Sequence, residues 1–131
     1  MEDSIFWEIL KEMQKKYLCM SEIERITREI GEFLSRNDQL SVQMLLGMRQ
    51  DEMDKADMFD NNIRCLMSVL TSEEAIKVEK WVKGKEDLKI SDKVAENIIE
   101  KGKNIQQILK RTIETDKYIN TRIAGIHSFY K

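Results

Sequence analysis

No proline occurs in the 131 residues and only five are glycine, so the residues that most readily end or kink a helix are nearly missing. Long helices are the expected consequence. Any uninterrupted apolar stretch is far shorter than the roughly 18 residues needed to cross a bilayer, and the opening Met1-Glu2-Asp3-Ser4 is acidic where a secretory leader would be basic. The chain is therefore expected in the cytosol, without membrane insertion. An excess of charge of one sign is lacking too: 22 Lys and Arg face 24 Asp and Glu, for a net charge of −2, which excludes binding driven by bulk charge to nucleic acid or anionic lipid.

Residues that carry chemistry are equally scarce. His127 is the only histidine and stands near the carboxy terminus, so Cys-His or Ser-His catalysis would depend on a terminal tail. No Glu lies three residues before it, which removes the Glu-x-x-His motif of di-metal helical bundles. The acidic group Asp51, Glu52, Asp54, Asp57 and Asp60 lacks the central Gly and terminal Glu of a calcium loop and reads as a solvated helix face. The glycines are isolated, so no phosphate-cradling loop is present. Cys19 and Cys65 form no CxxC pair and fall among apolar residues, where both are expected as ordinary buried thiols. No catalytic residue, metal or cofactor is expected, and the chain does not read as an enzyme.

What is abundant is amphipathic periodicity. Phe6, Ile9, Leu10, Met13, Tyr17, Met20, Ile23, Ile26, Ile30, Phe33 and Leu34 recur in steps of one, three and four, predicting a helix over about 4–35 with Asp3 or Ser4 at its start. Ser35-Arg36-Asn37-Asp38 marks a tight turn. Beyond it Val42, Leu45, Leu46, Met53, Ala56, Phe59, Ile63, Leu66 and Leu70 predict a second helix over about 40–70, its seam turning polar near Arg49 to Glu52. Thr71-Ser72-Glu73-Glu74 has the form of a capping box, opening a short helix over about 73–83 that Gly84 would close in a left-handed cap.

The last helix, over about 92–124 with Ser91 as a candidate cap, has the most regular repeat. Ile98, Gly102, Ile105, Leu109, Thr112, Asp116, Ile119 and Ile123 follow alternating steps of four and three. The expectation is an all-α, elongated antiparallel bundle of three long helices plus one short one, a single domain over 1–131 with 126–131 as a flexible tail.

Two features invite a binding role. Met44, Met48, Met53, Met58 and Met67 on the second helix either fill an irregular core or form adaptable surface for a partner. In the last helix Ile99, Ile108 and Ile113 widen the apolar stripe, which is either fully packed within the bundle or, where its neighbours leave part of it uncovered, a surface that would accept a helix. Gly102 and Asp116 interrupt that seam. The end beyond residue 101 is locally basic, yet Tyr118 with Lys117 and Arg122 gives only thin support for nucleic acid.

The layout resembles the small flagellar type III export chaperones of bacteria, of the FlgN and FliT type. The resemblance is carried by Leu45-Leu46-x-x-Arg49 followed by Met53, Asp57 and Asp60, and by Asp116-Lys117-Tyr118-Ile119-Asn120-x-x-Ile123-Ala124-Gly125 before Ser128-Phe129-Tyr130. It implies a cytosolic protein that holds an amphipathic helix of an exported hook-filament junction or cap subunit, prevents its premature assembly, and delivers it to the export gate. It places partner recognition on Ile98, Ile105, Ile108, Leu109, Ile113, Ile119 and Ile123, with Tyr118 or Tyr130 as an aromatic contact to the gate. The alternatives are a homodimeric scaffold bundle, whose second copy covers the same stripe, and a small regulatory protein-binding module.

Overall fold

A computed structural model describes residues 2–85 and 92–129, with side chains over 4–85 and 92–121. The chain forms α1 (Glu2–Ser35), α2 (Gln39–Met67), α3 (Ser72–Val82) and α4 (Lys93–Phe129), with no strand among the described residues. At 1.5 Å per residue α1 is about 51 Å long, so the all-α, elongated arrangement expected from the sequence is present.

Local chemistry explains the junctions. Asn37 takes a left-handed conformation (φ 58°) after α1, and the Asn37 and Asp38 N–H groups donate to the Leu34 and Phe33 carbonyls. This paired closure satisfies carbonyls that the helix end leaves open. Asp38 then caps α2, its carboxylate accepting from the Ser41 N–H at 3.0 Å and the Ser41 hydroxyl at 2.7 Å. Thr71 and Glu74 form the expected reciprocal box, and Gly84 (φ 79°) closes α3 as its sequence position predicts.

Three boundaries differ. α1 begins at Glu2, ahead of the expected start near 4, so Ser4 lies inside its first turn. α2 stops at Met67, short of 70, where the Ser68 N–H reaches both the Arg64 and Cys65 carbonyls and its hydroxyl donates to Cys65 at 2.6 Å. α4 continues through Gly125 to Phe129, past the expected end near 124, because a lone glycine weakens a helix by only about 1 kcal/mol without ending it. Its cap is Asp92, which accepts from the Val94 N–H at 2.9 Å; Ser91 lies outside the described residues.

α1 is the spine. Lys101 over Tyr17, Arg111 on Glu24 and Ile119 beside Gly31 climb α1 and α4 together, so those two helices run parallel. Asn62 on Glu12, Asp60 on Lys16 and Arg49 on Thr27 show α2 descending as α1 ascends. α2 and α4 both pack on α1 but scarcely on each other, and α3 packs on α4.

The core falls into two parts. A larger cluster includes Phe6, Ile9, Met13, Ile23, Ala56, Ile63, Val78, Trp81, Ile98 and Ile105; a smaller one contains Ile26, Ile30, Val42, Leu45 and Ile119. Between them lies a polar layer in which Arg49 donates to Asp116 at 2.9 Å and to Thr27 at 3.3 Å, with buried Thr112 alongside on α4. Asp116 therefore interrupts the seam in order to pair with Arg49 across the helices.

Gly102 has an equally specific reason. A Cβ there would stand 2.5 Å from the Val82 carbonyl oxygen and 2.7 Å from the Gly84 nitrogen. It marks the closest backbone approach of the α3 terminus to α4, not a weak point.

Candidate groove between the flanking helices

Because α2 and α4 flank α1 and scarcely pack on each other, joined across the gap by the Arg49–Asp116 pair, a groove runs between them with α1 as its floor. Two adjoining depressions, about 580 and 310 Å³, share Lys16, Asp60, Ile105 and Gln106 and so form one channel. Met13, Met20 and Ile23 of α1 line its floor and Met53, Ala56, Ile63 and Met67 one wall; the other is formed by Ile105, Leu109 and Ile113 of α4 and, toward Met67, by Glu79, Val82 and Lys83 at the end of α3. Measured along α2 from Arg49 to Met67, its length is about 27 Å, or some five helical turns.

The structure divides the residues expected to bind a partner. Ile98, Ile108 and Ile119 are buried at 0, 3 and 4% exposure and lie in the core, while Ile105, at 5%, is buried yet lines both depressions. Burial of the main seam has a simple cause: α1 runs alongside α4, α3 crosses it near Gly102, and together they cover it. Leu109 and Ile113 are exposed at 36 and 44% and line the groove. Tyr118 is exposed at 65% but lines neither depression. The side chain of Ile123, like Tyr130 and His127, lies outside the described residues.

Sequence periodicity alone did not assign the other wall and floor to this site. Met53 and Met67 were legible as part of the methionine cluster, and both are half-buried against the core while facing the channel. Met44, Met48 and Met58 are exposed away from it. Met13, Met20, Ile23, Ala56 and Ile63 carried only the signal of a core face, since a groove floor has the same periodicity as a packed interior.

Charges along the channel are mostly neutralised. Lys16 pairs with Asp60 at 2.7 Å, Arg49 with Asp116 at 2.9 Å, and Lys83 with Glu79 at 3.1 Å. Arg64 donates only to the Asn61 side-chain oxygen at 3.1 Å, and neither Arg64 nor Asp57 has an ionic partner among the described residues. The channel thus mixes apolar and polar lining, carries no excess of either sign, and has two charges of opposite sign without an ionic partner among the described residues.

On the other side of the molecule the α1–α4 seam is tied by charge. The Glu24 carboxyl is held below its ordinary range chiefly by the hydrogen bond from Arg111, whose own pKa is raised in return. Cys19 is buried and its thiol pKa is raised, first by desolvation and then by its hydrogen bond to Glu52. Cys65 is exposed, contrary to the expectation of two core thiols, because α2 turns it away from both α1 and the groove. Among the described residues no group of three His, Cys, Asp or Glu side chains is placed to hold a metal ion, and no helix is long and apolar enough to cross a membrane. Compared with protein families, curated proteins and solved structures, the chain matches none.

Proposed function

We propose that this chain is a cytoplasmic helix-binding protein that seats an amphipathic helix of a partner protein in the α2–α4 groove. The observation that carries the reading is the scarcity of packing between two long helices that share one floor, which leaves about five turns of a partly apolar channel uncovered. Burial of an apolar face supplies the affinity, and methionine walls tolerate variation in the side chains they receive.

The export-chaperone resemblance gives the proposal its biological form. The bound helix would belong to a hook-filament junction or cap subunit, kept from assembling until it reaches the export gate. Relative to the resemblance, recognition moves from the buried isoleucines to the exposed edge formed by Leu109 and Ile113 with Met53 and Met67 opposite.

Replacing Leu109 and Ile113 together by Asp tests the site directly. Both are exposed, so the fold should persist by circular dichroism, while binding of a fluorescent amphipathic peptide should fall at least about tenfold, as expected for losing roughly 1.4 kcal/mol or more of apolar contact. Unchanged peptide affinity in a folded variant refutes this surface. Light scattering tests the scaffold alternative, since a strict dimer that excludes the peptide means a second copy fills the channel.

A further inference from the structure

We infer that the groove selects a helix by a dipolar pair of charges: a cation placed against Asp57 and, two turns along the same edge, an anion against Arg64. The inference rests on the helix-binding reading and adds what kind of helix is accepted. Asp57 and Arg64 are seven residues apart on α2, so they share one helix face about 10 Å apart, and both line the channel.

Their isolation is what makes them informative. The other acids and bases of the channel are matched within the chain: Lys16 by Asp60, Arg49 by Asp116 and Lys83 by Glu79. Among the described residues only Asp57 and Arg64 of the channel's charges lack an ionic partner and present that charge to an occupant, and the channel's overall balance gives a polyanion such as nucleic acid no attraction. Charges at the rim of an apolar contact set register and reject like-charged partners more than they add affinity. A helix carrying a basic and an acidic residue seven positions apart, beside its apolar stripe, meets both. One with two like charges there meets one and is repelled by the other.

The test uses the full-length chain and three designed helical peptides of about 18 residues, sized to the channel and sharing one apolar face. They differ only at two flanking positions seven apart, which carry Lys and Glu, two Lys, or two Glu. At low ionic strength the mixed peptide should bind about threefold or more tighter than either like-charged peptide, with the difference fading at high salt.

Asp57→Lys leaves two unmatched cations, so the two-Glu peptide should become the tightest ligand. Arg64→Glu should transfer the preference to the two-Lys peptide. Both side chains are exposed, and the variants should fold as the wild type does by circular dichroism. Binding of all three peptides with equal affinity to wild type and variants overturns the charge register while the groove remains a helix site. Failure of every peptide to bind overturns the groove reading itself.

Discussion

At the scale of single residues, small side chains in this chain serve opposite purposes, and substitution separates them. Gly47 lies in α2 with open space where a Cβ would be, so Gly47→Ala should stabilise the protein by about 0.5–1 kcal/mol through helix propensity. Gly102→Ala should destabilise it by more than about 1 kcal/mol, since the added methyl would press on the backbone of Val82 and Gly84. Urea denaturation of the two variants should give shifts of opposite sign, and equal shifts would contradict the α3–α4 contact. The thiols form a second contrast. A disulfide reagent should label Cys65 at once and Cys19 only on unfolding, because Cys19 is buried with a raised pKa. Burial of Cys19 was legible from its apolar surroundings, but the exposure of Cys65 and the separate roles of the two glycines were not, because these depend on what a neighbouring helix presents to the residue.

Among the elements, most of the architecture could be read in advance because its signals are local. The Thr71–Glu74 box and the Gly84 cap act within a few residues of themselves, and the structure places both where the sequence does. The helix ends that were misjudged had weaker or competing signals, as with Ser68, whose hydroxyl draws α2 to a close before Leu70. Carboxylates at the junctions also give stability a pH dependence. Asp38 is held below its ordinary 3.8 by the Ser41 hydroxyl and N–H, and Glu24 below 4.5 by Arg111. Lowered carboxyl pKa values contribute stability that is fully present above the unfolded-chain values and lost as pH falls through the folded ones. The thermal midpoint should therefore decline as pH drops below about 4.5, toward the acid side of both groups. Glu24→Gln should be less stable than wild type at neutral pH and lose less on acidification; an unchanged pH profile would mean that the Arg111 contact does not persist in solution.

At the scale of the whole molecule the decisive fact is which helices scarcely pack on each other, and no one-dimensional pattern reports it. A seam such as Ile98–Ile105–Ile119 states that α4 buries a face, but not whether one neighbour or two will cover it. Here α1 and α3 suffice, and the remaining edge with Leu109 and Ile113 opens on the channel. Arg49 and Asp116 then acquire a role beyond filling a polar layer, because their contact bridges α2 to α4 where the two core clusters meet. Arg49 is largely buried, so removing its partner by Asp116→Ala leaves a cation with only Thr27 to receive it. That variant should lose about 1–2 kcal/mol, more than an exposed ion pair contributes. Adding Arg49→Met should recover part of the loss, since the stranded charge is gone and methionine can extend the apolar seam between the clusters. A double-mutant cycle by urea denaturation should accordingly give a coupling of about 1 kcal/mol, whereas strictly additive losses would show that the bridge does not hold the two flanking helices together.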